Sequence, residues 1–340
     1  MKSSRSKQGQ LWSIILAGGE GKRLGSLTEQ WLGQHRPKQY CTFTGTRSML
    51  QHTLDRADRL TAPDQKVTVI SRSHRQEAWP QLAGRLGNVV LQPANRDTAA
   101  GIFLPLTYVR ARDPQATVVI YPSDHFVYPE ERFIDVTRQA VQAAEQLNDR
   151  LVLLGSVTDS LELDYGWIYP GQDLGVKEAR VHSVSAFLEK PGFTQAQQAL
   201  AAGALWNTFV MTAKVETLWR LGWFCFPVIM QLFERLEAAI GTEEEESLLE
   251  SLYLAMPVRN FSMDVLQRVP SKVAVMEMKG VYWSDWGKPE RIVESLERIG
   301  KQPAFPVEYA QPGAPRHQRL FPADALVGDT VRSVSATATA

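Results

Sequence analysis

The sequence predicts an α/β fold: a Rossmann-like mixed, mainly parallel sheet flanked by helices, with an α+β subregion in its second half. Three observations predict it. From Leu11 onward, short runs rich in Val, Ile and Leu alternate with amphipathic stretches, which is the pattern of βαβ units. A glycine-rich string follows the first of these runs directly. The length of 340 residues allows two ordinary domains of roughly 150 residues, or one large α/β domain with additions.

Each element follows from local pattern. Strands are expected at 12–17, 67–71, 89–92, 117–121 and 151–155, apolar runs that end at polar residues or at Gly and Pro. Helices are expected between them at 49–60, 98–112 and 130–147, where apolar residues recur every three or four positions. After about residue 160 the texture changes. A hairpin around 165–170, a strand at 181–188, a helix at 194–202 and a strand near Phe209 read as an α+β insertion. A helical block follows over 215–255, with the acidic run 243–246 as a solvated face or a helix start. A strand at 272–278 and a helix at 289–299 close the ordered region. The expected organisation is a flexible N-terminus (1–10), one main folded region (11–300, in two parts, 11–160 and 161–300), and an irregular or disordered tail (301–340) rich in Pro, Ala, Ser and Thr.

Composition narrows the function. With 37 Lys and Arg against 37 Asp and Glu, the chain has no global attraction for polyanions, and no basic cluster suggests nucleic acid or a membrane surface. Two cysteines, Cys41 and Cys225, cannot supply a disulfide framework. The apolar stretch after the basic start is too short for a signal-peptide core, and no window reaches the ~20 apolar residues of a membrane helix. The expected setting is cytoplasmic.

The string Leu16-Ala17-Gly18-Gly19-Glu20-Gly21-Lys22-Arg23-Leu24 is the most informative segment. A Walker A loop would need Gly at position 16 and Ser or Thr after Lys22, where Leu16 and Arg23 stand. The dinucleotide fingerprint fails at Leu24 and lacks an acid about 20 residues on. A loop whose backbone N–H groups wrap the phosphates and base of a nucleotide remains, with a plain turn as its alternative.

Further strings carry a resemblance. They are Arg36-Pro37-Lys38-Gln39, Gln92 to Ala100, Tyr121-Pro122-Ser123-Asp124-His125, Phe187 to Pro191, Trp206-Asn207, Phe261 to Asp264 and Trp283-Ser284-Asp285. In this order and spacing the set resembles the sugar-1-phosphate nucleotidyltransferases, in their mannose-1-phosphate guanylyltransferase branch, over residues 11–300. The resemblance implies a nucleotidyltransferase fold of the glycosyltransferase-A type. It also implies an enzyme that transfers a nucleoside monophosphate from an NTP, GTP first, to a sugar-1-phosphate, mannose-1-phosphate first, with Mg2+ as cofactor. It carries roles onto residues here: Arg23, Lys38 and Lys190 on phosphates; Asp124 and Asp285 on the metal; Leu16, Ala17, Gly18, Gly19, Gly21, Lys22, Asn95, Arg96, Asp97 and Thr98 on the nucleotide; Tyr165, Gly166, Glu189 and Asn207 on the sugar phosphate. Two polyanions must be brought together, so cations and positioning matter more than a nucleophilic side chain.

Each assignment has a plainer reading beside it. A cation can be a surface salt bridge worth under about 1 kcal/mol. Asp97, Thr98 and Asp124 can be helix caps or turn residues. Tyr165 and Trp167 can be hairpin packing. Departures from the pattern occur at Ser26, at 31–35, at Asp97 and Ala100, and after Asp285, where the chain reads Trp286-Gly287-Lys288-Pro289. These leave the base and the sugar open, so a uridylyl-, thymidylyl- or cytidylyltransferase, or a non-catalytic sugar-nucleotide sensor, stands as an alternative. No cupin-like or β-helix module is expected. Oligomeric state, a homodimer included, is not fixed by the sequence.

Overall fold

A computed structural model describes residues 9–311 apart from positions 86 and 178. The first half alternates strand and helix: β1 (Leu11–Ala17), α1 (Gly25–Leu32), α2 (Met49–Asp58), β2 (Lys66–Ser71), α3 (Arg75–Leu82), β3 (Asn88–Gln92), α4 (Asp97–Arg112), β4 (Thr117–Pro122), β5 (Phe126–Tyr128), α5 (Glu130–Gln146) and β6 (Leu151–Ser156). The second half holds β7 (Gly166–Asp173), β8 (Val181–Glu189), α6 (Phe193–Ala201), β9 (Leu205–Lys214), α7 (Val215–Cys225), α8 (Pro227–Ala239), α9 (Glu245–Ala255), β10 (Val273–Glu277), β11 (Tyr282–Ser284) and α10 (Pro289–Arg298).

Local chemistry sets several boundaries. Ser48 and Gln51 form a reciprocal capping box that starts α2. Pro227 occupies the first turn of α8, where a missing N–H costs nothing. Glu130 and Glu131 open α5, where carboxylates complement the helix dipole.

Nine strands form one sheet in the order β3-β2-β1-β4-β9-β6-β10-β8-β7. β9 and β8 run against their neighbours, and the remaining strands share one direction. β9 enters antiparallel between β4 and β6, so the second half continues the sheet instead of forming an insertion beside it. β7 also pairs back onto β9, which closes β9, β6, β10, β8 and β7 into a ring.

Strand alternation sends side chains to two cores. Ile14 lies with Phe103 and Phe233 on one face, and Ile15 with Leu54 and Phe133 on the other. Both faces are covered, which is why β1, β2 and β4 read as near-continuous apolar runs, interrupted inside β1 by the buried Ser13 and inside β2 by the buried Thr68. A third cluster, including Leu24, Phe43, Trp286, Ile292 and Phe305, joins the segment after the glycine loop to α10.

The structure corrects several expectations. Residues 165–170 do not turn. Gly166 to Pro170 are the first part of β7, and the chain reverses toward β8 only beyond Asp173. α1, α3, β5 and β11 were not expected: α3 carries an internal Pro80 and almost no amphipathic pattern, and the two short strands have three residues each. The acidic run does start a helix, with Glu245 at its head accepting from the Gly241 N–H at 2.7 Å. The first part of the expected tail is anchored. Ala304 donates its N–H to the Phe43 carbonyl at 2.7 Å and Phe305 is buried. The rest of that tail, and residues 1–8, lie outside the described residues. Among the described residues no helix is long and apolar enough to cross a membrane.

Candidate active site

The C-terminal ends of β1 and β4 lie side by side, because these strands pair in parallel with Leu16 opposite Pro122. Open α/β sheets place their ligands at such strand ends. Beyond β1 the chain enters the glycine loop, and several groups fix its path. Gln39 Nε2 donates to the Ala17 carbonyl at 3.0 Å and the Gly19 carbonyl at 2.7 Å, and the Tyr40 hydroxyl donates to Ala17 at 3.0 Å. Gly21 has φ +63°, and a Cβ there would stand 2.7 Å from the Lys38 nitrogen. Only glycine suits that position. Beyond β4, Ser123 donates its hydroxyl to the Leu16 carbonyl at 2.7 Å, which leaves Asp124 facing the loop.

Asp285 reaches the same place through a device that the sequence did not reveal. β11 and β5 form a two-stranded antiparallel ribbon in which Ser284 is opposite Phe126. The next residues along each strand are therefore Asp285 and His125.

Lys38 sits at the meeting point. It is buried, and its ammonium is 2.9 Å from Asp124 Oδ2 while donating to the Asp285 carbonyl. Arg23 lies 3.0 Å from Asp285 Oδ2 and is 56% exposed. Gly287 permits this pair, since a Cβ there would be 2.5 Å from both Arg23 Nη1 and Asp285 Oδ2. Asp285 Oδ1 accepts from the Gly287 N–H at 2.8 Å, Arg291 Nη1 at 2.9 Å and the Tyr165 hydroxyl at 3.0 Å.

Burial alone would raise the Asp285 pKa, but Lys38, Arg23, His125 and Arg291 together hold the carboxyl well below the usual range. For Asp124, burial and Asp285 push the pKa up while Lys38 and His125 pull it down, and the net shift is downward. Both acids are therefore ionised at neutral pH. His125 is pushed below its ordinary value, chiefly by burial. Its Nδ1 lies 3.0 Å from the Thr208 carbonyl. A cavity of about 170 Å3 opens on this cluster, lined by Gly21, Lys22, Arg23, Lys38, Asp124 and Gly287 among others.

The 95–98 loop joins the glycine loop through Asn95, whose Nδ2 donates to Glu20 Oε1 at 3.2 Å, while Glu20 also pairs with Lys22. Asp97 has φ +65° and accepts from its own Thr98 N–H at 2.6 Å and from Asn260 Nδ2 at 3.2 Å. Thr98 accepts from the Phe261 N–H at 2.8 Å. Arg96 does not join this group: its guanidinium donates to the carbonyls of Tyr253 at 2.7 Å and Leu254 at 3.4 Å. It ties the loop to the end of α9.

On the other side Gly166 is opposite Glu189, and a Cβ on Gly166 would lie 3.0 Å from Glu189 Oε2 and 3.2 Å from Asn207 Cβ. These three residues are brought together. Burial raises the Glu189 pKa, with Asp97 adding to the rise and Lys190 and Ser262 offsetting part of it. The Lys190 side chain is exposed and makes no salt bridge among the described residues. Tyr165 points away from Gly166's neighbours to Asp285, packed against Trp206 and Trp283.

Asp97, Lys190, Phe209 and Trp286 all have positive φ without being glycine, a conformation that costs on the order of 1–3 kcal/mol each and gathers at functional sites. Each is, or lies within two residues of, an expected site residue. Arg291, Gln39, Gly287 and Asn260 are the neighbours that sequence reasoning missed.

Known proteins resemble the chain over most of its length. A family model described as nucleotidyl transferase matches residues 12–302. A mannose-1-phosphate guanylyltransferase of Escherichia coli (strain K12) is 28% identical over 300 residues, covering 82% of this chain and 58% of the relative. The mannose-1-phosphate guanylyltransferase ManC of Salmonella typhimurium (strain LT2) is 30% identical over 292 residues, covering 83% and 58%. The chain thus spans somewhat under three-fifths of the length of these curated relatives. A crystal structure titled mannose-1-phosphate geranyltransferase, from Thermus thermophilus, superposes with a TM-score of 0.72 at 26% identity, covering 86% of this chain and 79% of that one. A mannose-6-phosphate isomerase from Helicobacter pylori shares the fold at a TM-score of 0.64 and 17% identity, covering 81% of this chain and 99% of that one.

Proposed function

The chain belongs to the nucleotidyl transferase family, and from that premise we propose that it transfers guanylate from GTP to mannose-1-phosphate, giving GDP-mannose and pyrophosphate. One observation carries the reading: the Lys38 ammonium is buried beside Asp124 and the backbone of Asp285, with Arg23 at the rim of the same cavity. With Arg23 at the rim and a metal on the two acids, the buried cation at the end of β1 and β4 would suit a phosphate chain.

In the proposed reaction an oxygen of the sugar phosphate attacks the α-phosphorus of the NTP. The new P–O bond forms as the bond to pyrophosphate breaks, and no proton need be removed, because the attacking phosphate is already ionised. Lys38 and Arg23 offset the charge that accumulates on the α-phosphoryl oxygens and the departing pyrophosphate. Arg23 is free to do so, because Asp285 keeps the Arg291, Tyr165 and Gly287 donors when Arg23 turns to phosphate. Lys190, exposed at the end of β8, is assigned to the sugar phosphate, and Gly166, Glu189 and Asn207 to the sugar hydroxyls. Asn95, Asp97 and Thr98 are assigned to the base. Asp97 offers acceptor oxygens, which suit the N–H groups on the guanine edge.

The donor set fits magnesium. Among the described residues no group of three or more acidic, His or Cys side chains could hold a metal, but magnesium commonly takes one or two carboxylates and completes its shell with phosphate oxygens and water. Asp124, with 31% of its side chain accessible, and Asp285 Oδ2 would hold it. When bound, the metal supplies charge neutralisation at the phosphates.

The test is pyrophosphate release from mannose-1-phosphate with GTP, UTP, dTTP, CTP and ATP in parallel. GTP is expected to lead by at least tenfold. Preference for another triphosphate overturns the guanine assignment.

A further inference from the structure

Arg291, in the first turn of α10, has no place in the sequence motifs, yet it is the most heavily engaged guanidinium at the site. We infer that Arg291 is the positioning residue that holds the Asp285 carboxylate in its working orientation and ties it to the sugar-side segment. The inference rests on the proposed phosphate chemistry and deepens it.

The geometry runs in both directions from the guanidinium. Toward the site, Nη1 donates to Asp285 Oδ1 at 2.9 Å. Toward the sugar side, Nη2 pairs with Glu162 and lies 3.7 Å from Asp164 Oδ2, two acids just ahead of Tyr165 and Gly166. Its Cζ lies over the Tyr165 ring, 4.6 Å from the centroid, and the Tyr165 hydroxyl ends on the same Asp285 oxygen. Lys288 closes the circuit from the loop after Asp285, 2.9 Å from Asp164. Arg291 and Asp285 keep only 10% and 6% of their side chains accessible, so solvent cannot replace these contacts.

The consequence is a division of labour between the two carboxylate oxygens. Oδ1 accepts from three donors behind the site, whereas among the described residues Oδ2 faces the half-exposed Arg23 on the cavity side. When Arg23 moves to phosphate, Oδ2 is released in a fixed direction, because Arg291 and Tyr165 prevent the carboxylate from rotating. A lysine cannot reproduce this, since one ammonium lacks the planar fork that reaches Asp285 and Glu162 together.

The test compares Arg291→Met and Arg291→Lys with the wild type in two assays on the full chain. The first measures kcat and KM for both substrates. The second measures Mn2+ binding by EPR with a non-hydrolysable GTP analogue and no sugar phosphate, which needs no turnover. Supporting groups behind a metal ligand change affinity or activity by roughly 10- to 100-fold. For Arg291→Met, kcat should fall by about that range and Mn2+ half-saturation should rise at least tenfold, with the GTP KM within about threefold. Arg291→Lys should recover only part of either loss. If folded Arg291→Met keeps kcat and Mn2+ affinity within threefold of wild type, the inference is overturned. Should Arg291→Met fail to fold, Glu162→Gln loosens the far end of the guanidinium. Mn2+ binding weakened by threefold or more then supports the inference, and unchanged binding overturns it. A wild-type protein inactive with every triphosphate contradicts the proposed function instead, and the two failures are thereby distinct.

Discussion

Replacing Lys38 with methionine keeps an unbranched side chain in its buried slot and removes the charge together with the hydrogen bond to the Asp285 carbonyl. At 2.9 Å from Asp124, the ion pair is worth roughly 6 kcal/mol at an effective dielectric near 20, before desolvation is counted. Taking the ammonium out of water returns several kcal/mol of that, and Asp124 is partly solvated, so the net loss of folding stability should be only about 2 kcal/mol. The effect on the reaction should be larger. A preorganised charge aimed at a developing anion is worth about 3–4 kcal/mol, or 10²–10³ in kcat. Asp124 and Asp285 would also face each other without the cation between them, which repels the incoming phosphates further. The two quantities come from urea unfolding and from pyrophosphate release at saturating GTP, mannose-1-phosphate and magnesium. A large loss of turnover with a small loss of stability is expected. Turnover within threefold of wild type in folded Lys38→Met refutes the reasoning.

Other perturbations test separate parts. Asp124→Ala and Asp285→Ala should each lower turnover by about 100-fold or more while the chain still folds, and near-normal activity in both at saturating magnesium would sink the metal assignment. Gly21→Ala should destabilise by about 1–2 kcal/mol, from the left-handed backbone and the 2.7 Å approach to the Lys38 nitrogen. Gly19→Ala, with nothing within 4 Å, should leave the unfolding midpoint nearly unchanged, and equal effects at the two sites would contradict the packing. His52, His74 and His125 are all pushed below the ordinary value of 6.5, burial being the first cause in each. The unfolded chain therefore takes up protons that the native chain refuses, so stability should fall as pH drops through about 6.5, by up to about 1.4 kcal/mol per pH unit per histidine. Asp124 and Asp285 act with the same sign, but in the lower window below the ordinary carboxylate range. His74→Phe, which keeps the edge contact with Tyr40, should flatten the slope between pH 7.5 and 5.5. An unchanged slope speaks against burial of His74.

What could be read from residues alone was the part determined locally. β1, β2 and β4 announce themselves because burial on both faces favours near-continuous apolar residues, and α5 because one face is apolar along its whole length. The glycine loop was legible from its place after a buried strand. The site's assembly was not legible, because it depends on pairings across the chain. The ribbon of β5 and β11 joins two three-residue strands, too short to carry a periodic signal, yet it alone places Asp285 beside His125. Arg96 reads as a polar loop residue because the carbonyls it satisfies lie 157 and 158 positions away. Arg291 sits in a helix rich in charged residues, and nothing in that string marks Arg291 as buried while Glu294, Glu297 and Arg298 face solvent. Tyr165 was placed with the sugar by analogy with a motif, and nothing in that motif marks the hydrogen bond its hydroxyl donates to Asp285.

The central claim is that the cavity between the glycine loop, Lys38 and the two acids joins a nucleotide to a sugar phosphate. The most direct measurement is 31P NMR of GTP and mannose-1-phosphate incubated with magnesium and the protein, with Asp124→Asn in parallel. The account predicts matched loss of the GTP and mannose-1-phosphate resonances and stoichiometric appearance of the GDP-mannose diphosphate and pyrophosphate, with Asp124→Asn nearly silent. Inorganic phosphate in place of pyrophosphate, or equal product from the variant, would contradict it.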